Sequence, residues 1–360
     1  MIPAAIRKLE VSRLLAFKHL SIEFSPGITV LIGENSTGKT HVLKLAYGLL
    51  QSLREYQQSP ALPEKPVKPH VTRKLLGLFR PDDDQIGRLV HRSIGRATGS
   101  AVLRFGDPGR FRITISTIGK VTRTFVGDPP PAIYIPSREM LSVYPGFAAA
   151  YENRELSFDE THYDLCKALS AAQLRGPKAE KVTTLIDPLL EVLGGRVALK
   201  GARFVLHSKE GHIEATLLSE GFRKIGALAQ LIANGSLGKS SVLFWDEPEA
   251  NLNPKLVTVV SGMLQKLAQQ GVQVIVATHD FLLSQELSLA AEYPKPDTVP
   301  IRFIAFSRTG SGGSIETQSA DTLVGLSDNP ILAEFAAHYD REQTLAATSS
   351  AKAESTRGPR

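Results

Sequence analysis

The chain has 360 residues, of which 42% are hydrophobic and 22% charged; this excludes wholesale disorder and leaves room for about two domains, or one large α/β unit with an insertion. A single cysteine, Cys166, excludes a disulfide framework and any Cys-rich zinc module. The net charge is +6, no run approaches 18 apolar residues, and MIPAAIRKLEV lacks a signal-peptide core, so a cytoplasmic protein without a membrane partner is expected.

In chain order, Ile22 and Phe24 and then Ile28, Val30 and Ile32 alternate as strands do, with a turn at Pro26-Gly27 between them. A glycine-bearing loop follows, and His41 to Leu53 carries helical spacing; residues 1–56 thus read as the first part of a core. Residues 57–70 hold four prolines and read as a connector opening an inserted segment, 57–130. That segment carries a short helical piece and a hairpin, 101–105 with 111–118. It is basic: between Lys65 and Arg123 stand thirteen Lys or Arg against four Asp, a field suited to nucleic acid or an acidic partner protein.

Residues 131–200 read as a strand at Ala132–Ile135 and a helical lobe with helices near 158–173 and 178–193. Residues 201–340 read as a hairpin, a helix over 219–233, a strand over 241–245, a helix over 254–270 and a strand over 272–277. Strands alternating with helices of this length predict a mixed, mainly parallel sheet with helices on both faces. Residues 341–360 have almost no large apolar groups and are expected to be disordered.

Four motifs carry chemistry. Gly33-Glu34-Asn35-Ser36-Thr37-Gly38-Lys39-Thr40 fits the phosphate-loop pattern and stands between a strand and a helix, as that pattern requires. Its backbone N–H groups would cradle the phosphates of ATP, Lys39 would reach the β- and γ-phosphates, and Thr40 would ligate Mg²⁺. The apolar strand Val242–Trp245 ends in Asp246 and Glu247, whose adjacent side chains point differently and can divide the labour. Asp246 would hold Mg²⁺ through water, and Glu247 would deprotonate the attacking water. His279 follows a third apolar strand, 32 residues beyond Glu247, placed to sense a γ-phosphate. Leu218-Ser219-Glu220-Gly221-Phe222 opens a helix: Ser219 is a good N-cap and Gly221 permits close backbone approach, a second anion-friendly helix start.

In order, these pieces resemble the ABC-type ATPases: Gly33–Thr40 looks like Walker A, Leu218–Phe222 like the signature, Phe244–Glu247 like Walker B, Glu249–Asn253 like the D-loop and His279 like the switch histidine. The strings GENSTGKT, LSEGF, WDEPEANLNP and VIVATHD are similar to the AAA15/AAA21-type group, related to the OLD and Rad50/SMC ATPases. Pro136-Ser137-Arg138-Glu139 falls at the Q-loop position without the customary Gln. The chain departs further in having Glu220 where transporters have Gly. The 186-residue gap from Gly33 to Ser219 holds no heptads, against a coiled-coil arm, and the 81 residues after His279 hold no acidic cluster of a Toprim nuclease.

The resemblance implies a Mg-dependent ATPase working as a homodimer, in which Ser219 and Gly221 of one subunit cap the ATP held by Walker A of the other. It further implies a switch acting on a separate effector protein, in bacterial antiphage defence or DNA maintenance. A transporter ATPase subunit and a nucleotide-gated scaffold with little turnover are the alternatives.

Overall fold

The computed structural model describes residues 5–58, 67–91, 95–310, 313–327 and 329–355; most of the Pro-rich connector, 59–66, lies outside them. The chain opens with β1 (Ile6–Leu14) and β2 (Phe17–Glu23), an antiparallel pair, followed by β3 (Ile28–Gly33), whose every residue is buried. The helix α1 (Lys39–Gln58) starts where the phosphate-loop pattern ends, and α2 (Val67–Phe79) packs beside it. Three strands come next, β4 (Thr98–Phe105), β5 (Arg110–Ser116) and β6 (Val121–Val126), and they extend the first pair into one antiparallel sheet of order β2-β1-β4-β5-β6. The stretch read as an insertion therefore supplies three of that sheet's five strands. The sequence reading passed over β1, and the reason is local: a bulge between Ile6 and Lys8 breaks the two-residue alternation.

A buried ion cluster fastens α2 to its neighbours. Lys74, wholly buried, places Nζ 2.7 Å from Glu55, 2.7 Å from Glu160 and 2.9 Å from Asp164. Burial by itself lowers the Lys74 pKa, but the facing carboxylates of Asp164, Glu160 and Glu55 outweigh it and raise the value. Replacing Lys74 by Met keeps most of the volume and leaves acids buried without their cation, so it is expected to cost about 3–5 kcal/mol of stability. Urea unfolding measures this, and an unchanged midpoint would remove the cluster from the account of how α2 is held.

The second half continues with β7 (Ala132–Ile135), α3 (Phe147–Glu152), α4 (Glu160–Leu169) and α5 (Pro177–Leu193). A small antiparallel sheet of β8 (Gly195–Lys200), β9 (Arg203–Ser208) and β10 (Gly211–Glu214) precedes α6 (Glu220–Ala233). Then come β11 (Val242–Asp246), α7 (Pro254–Gln269), β12 (Gln273–Thr278), α8 (Phe281–Glu292), β13 (Ile301–Arg308), β14 (Ile315–Ala320) and α9 (Pro330–Ser355). The central sheet has order β14-β13-β3-β12-β11-β7, parallel except for β14 at its edge.

Helices cover both faces, and alternate residues show how. From β3, Ile28, Val30 and Ile32 enter the core beneath α6 and α7, while Leu31 enters the core beneath α1. Strands buried on both sides must be apolar throughout, which is why these runs were legible. Gln273 is one of the polar exceptions, with Thr29, Asp246 and Thr278. It accepts from Ile6 N and donates to the carbonyls of Ile6 and Ser25, tying the two large sheets together.

The expected disordered tail is corrected: α9 continues to Ser355. Exposed along residues 332–346 apart from a half-buried Ala337, it draws on helix-forming Ala, Leu, Glu and Gln rather than on burial. Residues 356–360 lie outside the described residues. Among those described, no helix is long and apolar enough to cross a membrane.

Candidate nucleotide site

Parallel pairing aligns the strand ends. Ile32 of β3 pairs with Thr278 of β12, and Ala277 of β12 pairs with Asp246 of β11. The three motifs that follow these strands therefore emerge at one carboxyl edge, where open α/β sheets bind ligands. Glu247 N continues the ladder by donating to Ala277 O at 2.8 Å.

The loop between β3 and α1 is bent back on itself. Gly33 has φ +146°, and a Cβ there would sit 2.4 Å from the carbonyl oxygen of Phe306, so only glycine fits. Thr37 donates to Glu34 O at 2.7 Å, and Arg308 Nη2 donates to Ser36 O at 2.8 Å from outside. Asn35 and Ser36 are exposed, whereas Thr37 and Lys39 are buried. Lys39 Nζ donates to Gly33 O at 2.7 Å and Glu34 O at 2.8 Å, placing the ammonium inside the loop. Burial lowers its pKa, opposed by Asp246, Glu247, Glu249 and Glu34.

Thr40 Oγ1 lies 3.1 and 2.9 Å from the two oxygens of Asp246, and Tyr134 OH donates to Asp246 Oδ2 at 3.2 Å. Burial raises the Asp246 pKa, with the Thr40 hydrogen bond pulling the other way. A hydroxyl and a carboxylate meeting at a strand end form a hard-oxygen donor set that suits Mg²⁺. Glu247 takes φ +48°, a left-handed conformation rare outside glycine, which turns its side chain toward His279. His279 Nδ1 lies 3.3 Å from Glu247 Oε1. Gly33, Gly38, Lys39, Thr40, Asp246, Glu247 and His279 thus belong to one site.

Ser219 and Gly221 do not join it. Ser219 Oγ caps α6 by accepting from Phe222 N at 3.4 Å, and a Cβ on Gly221 would meet Leu252 and Leu256 at 3.0 and 3.1 Å. The glycine serves packing against the chain's own D-loop. Asn251 Nδ2 donates to Glu220 Oε1 at 2.8 Å, which gives the departure at position 220 a local role. Among the described residues no hydrogen bond or ion pair links 219–222 to the loop 33–40.

Sequence reasoning missed several side chains. Tyr134 lies in an apolar run, and nothing local signals that its hydroxyl reaches Asp246. Lys224 is buried within α6 and donates to Ala250 O at 2.7 Å, bracing the D-loop. Glu139, at the Q-loop position, pairs with Arg223 of α6 at 2.8 Å. Glu249 is buried and accepts from Thr278 Oγ1 at 2.6 Å.

Residues 127–284 match the family model described as AAA domain, putative AbiEii toxin, Type IV TA system. No curated protein matches the chain in sequence. Among solved structures, an Smc head bound to the C-winged helix domain of ScpA aligns with TM-score 0.53 and 14% identity over 88% of this chain and 98% of that one. The SMC head domain from Thermotoga maritima has TM-score 0.48, with 14% identity over 88% of this chain and 98% of its own. The Smc head with an extended coiled coil bound to the C-terminal domain of ScpA, from Pyrococcus furiosus, has TM-score 0.48, with 13% identity over 88% and 96%. The fold argument rests on the first of these. Motif order and sheet topology agree with these findings: residues 127–284 are similar to that AAA domain, and the chain has the fold of an SMC-like head.

Proposed function

We propose that the chain binds ATP with Mg²⁺ and hydrolyses it as a cytoplasmic sandwich homodimer. The observation that carries this is the separation of two half-sites on one chain. Walker A, Walker B and the switch histidine converge at the sheet edge, while the exposed signature start at Ser219 is tied to the D-loop and has no link to its own phosphate loop. A second copy supplies what each edge lacks, and a twofold arrangement satisfies both at once.

In this reading the loop N–H groups of residues 33–40 and Lys39 bind the phosphates, and Thr40 and Asp246 hold Mg²⁺, which when bound neutralises developing phosphate charge. Glu247 takes a proton from water as the hydroxyl oxygen adds to the γ-phosphorus. The bond from that phosphorus to the bridging oxygen breaks, ADP leaves, and His279 steadies the transferred group. Hydrolysis then switches the relation between subunits and signals to a separate effector, in antiphage defence or DNA maintenance. That setting rests on the family match and the resemblance.

A nucleic-acid contact through the basic 65–123 segment would draw on only part of its charge, with Arg96, Arg110, Arg112 and Lys120 exposed. Of the basic excess over 65–123, Lys74 is buried; Arg73, Arg88 and Arg104 face acids; and Arg80 donates to Phe158 O. Arg92 lies outside the described residues.

Mixing a Lys39→Ala chain with a Ser219→Arg chain tests the shared site. Each homodimer is expected to be inactive. The mixed dimer holds one site with both defects and one with neither, so up to half of the per-dimer activity returns if the sites fire independently. Crosslinking confirms that mixed dimers form. Substantial hydrolysis by purified Ser219→Arg homodimers would refute the sandwich.

A further inference from the structure

Glu249 stands just outside the hydrolytic groups, and its surroundings are unusual for a carboxylate. It belongs to the turn after Walker B, yet it is buried between that turn and the end of β12. Thr278 Oγ1 donates to its Oε1 at 2.6 Å, and Thr278 Oγ1 in turn accepts from Asp280 N at 2.9 Å. Its other oxygen, Oε2, is buried and has no hydrogen-bond partner. A buried carboxylate oxygen without a donor carries a desolvation cost of a few kcal/mol, and Oε1, the oxygen that faces the ring of His279, keeps a second lone pair beside the bond from Thr278. Burial accordingly raises the Glu249 pKa.

A ring nitrogen stands close to this carboxylate, that of His279. Its Nδ1 lies 3.3 Å from Glu247 Oε1 and 4.0 Å from Glu249 Oε1, so the ring stands between two carboxylates and is closer to the one assigned as base. An Nδ1–H drawn against Glu247 Oε1 lowers the basicity with which that carboxylate takes the proton of water. Restoring it takes a shift of about an ångström toward Glu249, within the reach of a half-exposed imidazole. Glu249 itself cannot follow. Thr278 holds its carboxylate, and the backbone beside it is pinned by Lys224, whose Nζ donates to Ala250 O at 2.7 Å.

We infer that Glu249 is a positioning residue: it is the second acceptor for the Nδ1–H of His279, drawing the imidazole away from Glu247 when a γ-phosphate engages the ring's far side. The inference rests on the hydrolytic reading given above and adds to it how the base is held covered before ATP binds and released afterwards. Glu249 touches neither water nor phosphate in this account and acts wholly through His279.

That dependence defines the experiment. Single-turnover hydrolysis and ATP affinity are measured for the full-length wild type, Glu249→Gln, His279→Ala and the double variant. Glu249→Gln should lose about tenfold or more in rate with ATP affinity unchanged, because the replacement is isosteric and only the anionic acceptor is removed. In the double variant, Glu249→Gln should add nothing to the loss from His279→Ala, since a residue that works through another has no effect once the other is gone. Full activity in Glu249→Gln overturns the inference, as do losses that multiply in the double variant, the signature of an independent structural role. Melting curves verify the fold. If the Gln variant melts early, Glu249→Asp, which keeps the charge and withdraws it by one methylene, goes through the same cycle with the same criteria. Glu247→Gln in the same assay separates the two levels. Retained turnover there rejects Glu247 as base, whereas lost turnover there with multiplying losses in the cycle rejects only the role of Glu249.

Discussion

Lys39→Ala is expected to abolish nucleotide binding. The Lys39 ammonium sits inside the phosphate loop, held by the carbonyls of Gly33 and Glu34 at 2.7 and 2.8 Å. Four acids surround it, and it is the loop's own cation. Each charge-assisted hydrogen bond it makes to a phosphate is worth about 1.5–3 kcal/mol, so losing two weakens binding by at least about two orders of magnitude. The Ala variant also leaves two inward carbonyls without a donor, which relaxes the loop away from the shape that presents its N–H groups. Titration calorimetry with ATP and Mg²⁺ measures the effect. Affinity near that of the wild type would remove residues 33–40 from the nucleotide site.

Glu247→Gln should retain ATP binding and slow hydrolysis on the order of 10²–10⁴-fold, the contribution of a positioned general base. The geometry decides between the two adjacent acids. Both oxygens of Asp246 lie within 3.1 Å of Thr40 Oγ1, one also accepts from Tyr134, and the residue is buried. Its oxygens face Thr40 and Tyr134 rather than open solvent. The Glu247 side chain is about one-third exposed at 34%, and among the described residues its ion pair is with His279, so a proton can reach it from solvent. Gln preserves its volume and its neighbours while removing the basicity. Trapped ATP should then favour the dimer, visible as an ATP-dependent rise in mass by light scattering. Unchanged turnover would return the search for a base to other residues of the edge.

What could be read without a structure was whatever is encoded over short spans of chain. β3, β11 and β12 announce themselves because a strand covered on both faces is nearly all apolar, and theirs are but for Thr29, Asp246, Gln273 and Thr278. The phosphate loop is legible because Gly33 and Gly38 answer to backbone conformations set within eight residues. Ser219, Asn253 and Asp280 cap helices by accepting from N–H groups three residues on, again a local matter.

Tertiary structure decided everything that depends on partners far apart in sequence. Tyr134 and Asp246 are 112 residues apart, and Lys74 and Asp164 are 90 apart. Neither spacing nor composition predicts that a tyrosine in an apolar strand reaches a carboxylate, or that a lysine in a basic stretch is wholly buried. Gly221 read as a place for close approach to an anion; the fold fills that space with Leu252 and Leu256, because α6 packs on the D-loop of its own chain. The helix at 330–355 went the other way: past Leu332, Phe335 and Tyr339 its sequence carries little apolar stripe, and over 332–346 its conformation follows from intrinsic propensity along a mostly exposed surface. Glu249 combines both cases. The string around it marks a D-loop, but only the packing of β12 beside β11 sets its carboxylate between Thr278 and His279.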